Sequence, residues 1–524
     1  MYPTGLKRAM IVFTTISAAI MELIDTSIVN VALSQISGNL GATIEDTSWV
    51  VTAYAIANVI IIPMTGFLQR YFGRKNYYLT SIFIFTIASY MCGNADSLWS
   101  LVAWRFIQGI GGGALLSTSQ GILFDAFEPK KRAMASGIFG MGIVLGPTIG
   151  PTLGGLIVDN YSWPLIFYIN IPFGILAAML TLFFIDKKED ELNIDRKTIS
   201  IDYFGIAMLV MGVGCLQYVL EKGQSEDWFE SEYIRILSPL CVIGIGTFIW
   251  RQLHVPNPII NLKVLKNTNL AASNVLTFVC GFGLFGSVFI FPVLVQRIMG
   301  YSPTEAGFAI VPGTIIGLFL MPIIGKTLGS GTPPIVYVVI GFIAFIFHGY
   351  TSSLATAEAS RAWFIFPQML RGIGTACLTV PLINQAVVGL APKDMPSGIA
   401  LTNMLRQLGG AFGIAMMNTF VTQRFAVHRS DLITNTAAND PEMMQRLSSI
   451  TQVFLSKGFS AADAQFAAFK AIDGAVTKQA YLLSYLDSYL IISLFFLITI
   501  PFLFLLRTKK VDATTLAKVA EESH

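Results

Sequence analysis

Fourteen times along this chain an apolar run long enough to cross a lipid bilayer is followed by a polar break. The runs fall near 10–33, 49–69, 77–93, 98–123, 134–158, 164–185, 202–221, 233–250, 270–296, 306–325, 335–350, 362–387, 398–421 and 486–506. A helix rises 1.5 Å per residue, so about 20 apolar residues cover a hydrocarbon core of about 30 Å. Each run is therefore expected to be a membrane-spanning helix. Composition agrees: 54% of residues are hydrophobic and only 12% charged, against roughly 25% charged in soluble domains. Lipid must cover most of the outside. The first run holds Glu22 and Asp25, is too long for a signal-peptide core and lacks a small-residue cleavage site, so it reads as a retained helix.

Positive charge sets the direction. With a cytoplasmic N-terminus, the termini and even-numbered loops collect most Lys and Arg, among them Lys7, Arg8, Arg70, Arg74, Lys75, Lys130, Lys131, Arg132, Lys187 and Lys188. The short odd-numbered loops hold only Lys222, Arg297 and Arg361. Both termini are expected in the cytoplasm, in a cell (inner) membrane. One long loop, about 424–484, falls outside. Met443, Leu447, Ile450 and Phe454 mark one amphipathic stretch in it, and Phe466, Phe469, Ile472 and Val476 a second, with Gly458 between. A helical hairpin capping the outer face is expected; docking onto an extracytoplasmic partner is the alternative.

Five cysteines (Cys92, Cys215, Cys241, Cys280, Cys377) lie in apolar runs without a CxxC pair, and the four His are scattered. Disulfides, a metal site and a cofactor are not expected, nor is nucleic-acid binding. A His/Cys/Ser catalytic cluster and a sizeable soluble domain are both missing, so the chain does not read as an enzyme.

Three matches recur in order. Pro63-x-x-Gly66 returns as Pro322-x-x-Gly325, and Arg105-x-x-Gln108-Gly109-Ile110-Gly111 as Gln368-x-x-Arg371-Gly372-Ile373-Gly374. Pro129-Lys130 with Ser136-Gly137-Ile138 returns as Pro392-Lys393 with Ser397-Gly398-Ile399. Together they imply a duplicated six-helix unit with two helices inserted between the copies. The expected plan is a first half at 1–190, an insert at 191–265, a second half at 266–510 and a cytoplasmic tail at 511–524. Two pseudo-symmetric halves about a central path are the architecture of alternating-access carriers.

The motifs resemble those of the major facilitator superfamily, specifically its fourteen-helix drug:proton antiporters of the EmrB/QacA type. Asp25-Thr-Ser-Ile-Val-Asn30-Val-Ala-Leu33 looks like the first-helix motif, and Arg105-Phe-Ile-Gln108-Gly109 like that of the fourth. Gly66-Phe-Leu-Gln-Arg-Tyr-Phe-Gly73-Arg74-Lys75 is similar to the loop signature after the second helix. Gly146-Pro147-Thr-Ile-Gly150-Pro151-Thr-Leu-Gly154-Gly155 matches the antiporter motif, and Asn403-Met-Leu-Arg406-Gln407-Leu-Gly409-Gly410 the thirteenth-helix signature. The loop signature normally has an acid where this chain has Arg70, so its charge relay does not carry over; Arg74 and Lys75 are expected to hold the loop at anionic headgroups. The resemblance implies an all-α major facilitator fold of two six-helix bundles plus two extra central helices. It also implies proton-driven export of amphipathic, often cationic, drugs and toxic compounds. A proton symporter, or an exporter of one metabolite on the same fold, is the alternative. In a cell with two membranes, likeness to EmrB further implies a periplasmic adaptor and an outer-membrane channel; QacA-like members work without them.

The residues themselves point to the first half for coupling. Glu22 and Asp25 are three apart on one helix face, and intramembrane carboxylates should face a bundle interior or wet cavity. Burial disfavours the ionised form, and a second carboxylate nearby adds to this, so the pair can hold a proton or a cationic substrate. Counting inward from the helix ends puts Arg105 roughly 10 Å and Asp25 roughly 12 Å below the outer surface, at matching depth. Contact with Arg105 would weaken the hold of Asp25 on a proton. Arg371 and Arg406 lack acids at the matching positions and are expected to be structural or pathway-lining, as are Asn30, Gln108 and Asn403. Glycines 142, 146, 150 and 154 should form a bare ridge on the fifth helix for close packing, bent at Pro147 and Pro151.

Overall fold

A computed structural model describes residues 2–187, 200–434 and 441–506. The tail at 511–524, and Lys188 with most of the loop around it, lie outside the described residues.

Fourteen long helices stand at the fourteen apolar runs among the described residues. They are α1 Gly5–Leu40, α2 Trp49–Phe72, α3 Arg74–Gly93, α4 Leu98–Asp125, α5 Arg132–Asn160, α6 Asn170–Phe184, α7 Tyr203–Lys222, α8 Glu232–His254, α9 Thr268–Met299, α10 Pro303–Gly329, α11 Pro334–Ser352, α12 Ile365–Gln385, α13 Met395–Thr434 and α15 Ala461–Thr499. A further helix, α14 (Pro441–Ser456), is amphipathic. Ten spans are apolar and long enough to cross a membrane. The other four, α3, α4, α12 and α13, have 20, 28, 21 and 40 residues and carry more polar side chains. The protein is a multi-pass membrane protein.

Local chemistry sets the ends. Gly41 closes α1 in the left-handed region at φ 62°, its N–H returning to Ser37 O. Ser302 and Glu305 form a reciprocal capping box on α10. The Asp202 carboxylate caps α7 at Gly205 N, 3.0 Å, and takes Arg251 Nε of α8 at 2.6 Å, joining the inserted pair.

The packing repeats. In the first half α1 packs on α5 and α6, and α4 on α2 and α3; in the second α9 packs on α13 and α15, and α12 on α10 and α11. The halves meet along two equivalent seams, α5 against α10 and α2 against α13. The inserted α7–α8 pair lies against α2 and α13 through a core that includes Val59, Phe67, Leu209, Val213 and Phe248.

In the long segment near 424–484 both amphipathic stretches are helical. Only its first stretch is a separate helix, α14. The second is the beginning of α15, which continues without a break into the last span, because no proline interrupts 461–499 and a single Gly474 is tolerated within a helix. α14 packs back on α15. α13 also runs past its apolar run, and ion pairs brace the two long helices. Arg424 Nε and His428 Nε2 reach Asp487 Oδ2 at 2.7 and 2.8 Å, and Arg429 Nη2 reaches Asp473 Oδ1 at 2.8 Å.

Candidate functional site

α1 is the helix on which the site is built, and the α5 ridge fixes its position. A Cβ at Gly146 would stand 2.2 Å from Leu23 Cβ, at Gly150 1.9 Å from Ser27 Oγ, and at Gly154 2.9 Å from Ile28 Cγ1. These distances are too short for any side chain. Gly142 departs from the expected ridge: a Cβ there would meet Ile20 Cγ1 at an ordinary 3.5 Å. Pro147 and Pro151 lie inside α5, and Pro147 lines a cavity described below.

The structure brings Asp25 and Arg105 together. Arg105 Nη1 donates to Asp25 Oδ2 at 2.6 Å, and both side chains are sealed from solvent. Gln108 Nε2 and Asn170 Nδ2 donate to Asp25 Oδ1 at 2.9 and 2.8 Å. Ser89 Oγ accepts from both amides, and Arg105 also donates from Nε to Val50 O at 3.1 Å and from Nη1 to Gln108 Oε1 at 2.7 Å. The guanidinium carbon lies 4.2 Å from the Tyr54 ring centroid, a cation–π contact. Asp25 thus has three donors and a counter-charge, as a buried carboxylate requires.

Glu22 sits differently. Asn58 Nδ2 donates to its Oε1 at 3.0 Å, while its buried Oε2 has no hydrogen-bond partner among the described residues. Asn58 Oδ1 and Tyr54 Oη are likewise buried and unpartnered. Across the halves, the Arg406 charge lies within electrostatic reach of Glu22. The two carboxylates are not in one shared setting: Asp25 is saturated, and Glu22 keeps one oxygen unpartnered with the Tyr54 hydroxyl close by. The run Glu22, Thr26, Asn30 on one face of α1 passes from buried to exposed.

The remaining sequence candidates fall at the seams and loops. Asn403 Nδ2 on α13 donates to Ser117 Oγ and Gln120 Oε1 of α4, both at 3.1 Å, across the halves. Gly66 faces Ser397 of α13, whose N would lie 3.1 Å from an added Cβ. Gly73 turns the chain between α2 and α3 at φ 82°. Arg74 pairs with Asp125, and Lys75 Nζ donates to Leu182 O at 2.9 Å. Both side chains thus hold the loop to α4 and α6, where headgroup contacts were expected; protein acceptors lie within reach of each. Arg70 donates to Pro258 O at 3.2 Å and feels the Asp394 carboxylate just before α13.

Arg371 Nε bonds Gln368 Oε1 at 2.8 Å. Arg371 also lines a small cavity of about 10 Å³ with Thr148 of α5, Thr314 of α10 and Thr375 of α12. Thr148 and Thr314 join hydroxyls across the seam at 2.8 Å. Sequence reasoning missed Asn58, Asn170, Ser89, Tyr54, Thr148 and Thr314. Each is a polar group in an apolar run, a signal too common in this chain to single any of them out.

The sequence model of the Major Facilitator Superfamily matches residues 15–414. The multidrug export protein EmrB of Escherichia coli K12 is 35% identical over 433 residues, 82% of this chain and 83% of that protein. EmrB of Haemophilus influenzae is 33% identical over 89% of each chain. The fatty acid resistance protein FarB of Neisseria gonorrhoeae is 31% identical over 96% and 97%. Among solved structures, the human organic anion transporter MFSD10 superposes with a TM-score of 0.61 at 13% identity, over 96% of this chain and all of that one, a likeness of fold. A family match over most of the chain and relatives above 30% identity over most of their length lead to one conclusion: the chain belongs to the Major Facilitator Superfamily.

Proposed function

We propose that the chain is a proton-driven exporter of amphipathic drugs and toxic compounds working by alternating access, with Glu22 as the group that loads and releases the proton. The observation that carries this is a buried cluster of three unpartnered atoms, Glu22 Oε2, Asn58 Oδ1 and Tyr54 Oη, around the one hydrogen bond from Asn58 to Glu22. A proton on Oε2 supplies the donor that Asn58 lacks, closing an acid–amide pair. When it leaves, the negative charge on Glu22 is within electrostatic reach of Arg406 in the other half. Proton loss therefore draws the halves together at that point and proton gain slackens them. The Asp25–Arg105 pair holds α1 against α4. The EmrB relatives, named for multidrug export, and FarB, named for fatty acid resistance, support amphipathic cargo.

In this reading both termini are cytoplasmic and the protein sits in the inner membrane, with Asn30 leading outward. Each proton moving inward supplies about 2.3 kcal/mol per 100 mV. A periplasmic adaptor would meet α14 and the start of α15, where Met444, Val453, Phe466 and Phe469 are exposed.

Ethidium efflux from proteoliposomes under an imposed pH gradient tests the reading. Glu22→Gln should lose gradient-driven efflux while keeping substrate exchange at equal pH. If Glu22→Gln still concentrates ethidium against its gradient, Glu22 is not the coupling group. If the unmutated protein moves no amphiphile in response to any pH gradient, the exporter reading falls.

A further inference from the structure

The N-terminal half of α1 carries a groove of about 500 Å³ along its outside. Arg8 stands at one end, Ile20 at the other, with Val12, Phe13 and Ile16 between them and Phe127, from the segment joining α4 to α5, at the side. Phe13 is 51% exposed. At 3.6 residues per turn these positions fall on the face of α1 turned away from Glu22 and Asp25, which point into the bundle.

Helix packing explains the groove. Gly146, Gly150 and Gly154 press α5 against α1, but at Gly142 the nearest side-chain atoms are Ile20 Cγ1 and Ile16 Cγ2 at 3.5 and 3.7 Å. The two helices stop interlocking there, and the same two isoleucines line the inner end of the groove.

The other end is charged. Among the described residues that line the groove, Arg8 alone carries a charge. Its guanidinium carbon lies 5.5 Å from the Phe127 ring centroid, and among the described residues no hydrogen bond or ion pair takes it. Nearby cations are already engaged, Lys7 by Asp186 and Lys131 by Glu128. From Arg8 to Ile20 the helix rises roughly 18 Å, against about 15 Å for half of the hydrocarbon core. A cation level with the headgroups thus tops an apolar trough one leaflet deep, and basic pockets in that position attract anionic headgroups.

We infer that the groove is a binding site for an anionic phospholipid, with its phosphate on Arg8 and one acyl chain lying along α1 as far as Ile20. The chain fills the space that opens beside Gly142, so the lipid steadies the helix that holds Glu22 and Asp25. Lying on the opposite face from Glu22, the groove is a seat for resident lipid and not a lane of the transport path. The inference needs only that α1 spans the membrane and is independent of what is exported.

The test places the full chain in phosphatidylcholine nanodiscs doped with phosphatidylglycerol, or with phosphatidylcholine, bearing the same diazirine at the end of one acyl chain. After irradiation and proteolysis, phosphatidylglycerol should label residues 12–20 about fivefold more than phosphatidylcholine does, roughly the worth of one basic side chain at an anionic surface. Arg8→Gln should abolish that preference and Arg8→Lys should keep it. Ala9→Trp, which fills the groove from an exposed position, should reduce labelling by both lipids. Added phosphatidylglycerol should also raise Tm in detergent, and Arg8→Gln should lose that rise. The site is overturned if both lipids label the unmutated protein equally, or if the preference survives Arg8→Gln. Displacement of the label by an equal amount of ethidium would overturn it too, because the groove would then hold cargo.

Discussion

Gly146→Ala should be far more damaging than its size suggests. The new methyl carbon would sit 2.2 Å from Leu23 Cβ and 3.1 Å from the Leu23 carbonyl carbon. Carbon atoms normally approach to about 3.5–4.0 Å, so α1 and α5 must part by roughly 1.5 Å. No rotamer relieves this, because the obstacle is a Cβ fixed to the backbone of α1. Such overpacking costs about 1–3 kcal/mol. More important, the shift is delivered to the helix holding Asp25 at 2.6 Å from Arg105 and Glu22 at 3.0 Å from Asn58, and either bond weakens steeply if stretched that far. Thermal unfolding in detergent should show a lower Tm, and proteoliposome efflux should fall at least tenfold in a protein that still inserts. Leu23→Gly in the same chain removes the obstacle and should recover much of both. Gly142→Ala, one turn away and with its nearest neighbour at 3.5 Å, is the control and should be close to silent. Wild-type transport in Gly146→Ala, or equal damage from Gly142→Ala, would refute the argument.

Asp25→Asn leaves Arg105 buried without a counter-charge and should cost about 3–5 kcal/mol, read as loss of folded, monodisperse protein. Asp25→Asn with Arg105→Gln should be milder than Asp25→Asn alone, though still inactive in efflux. Arg70→Asp places a second acid near Asp394 and should slow transport, and adding Asp394→Arg should restore it. Recovery failing in that charge swap would mean the two do not communicate across the seam. Asn403→Ala removes both donations from α13 to α4 and leaves a buried acceptor unpaired, for a loss of about 1–3 kcal/mol in thermal or denaturant unfolding.

The spans were legible because a helix in lipid must be apolar over a fixed length, and the recurrent motifs exposed the duplication. Contact between Asp25 and Arg105 was also within reach of the sequence, since depth in a membrane can be counted in residues from each helix end. What could not be counted was rotation. Whether Asn58 points at Glu22, or Asn403 at Ser117 and Gln120 in the opposite half, depends on the azimuth of helices about their own axes. For the same reason a ridge of four equally spaced glycines looked uniform, while α1 diverges from α5 at Gly142 and presses on it at the other three. The protein acceptors of Arg74 and Lys75 were not legible because a basic loop residue has the same appearance whether its acceptor is a lipid phosphate or Asp125. The continuity of the second amphipathic stretch with the last span was not legible because amphipathic and apolar stretches differ in surroundings, not in helicity, and α15 passes from one to the other without a signal in its backbone.

That unbroken helix has a mechanical consequence. Its 39 residues extend about 58 Å at 1.5 Å per residue, roughly twice the hydrocarbon thickness, and the Asp487 and Asp473 ion pairs lash it to α13 along the way. The second half therefore carries a stiff mast. A small tilt within the membrane becomes a larger sweep at the tip in proportion to the mast's length. Anything seated on that tip would be moved once per transport cycle, without needing to touch the substrate or the proton.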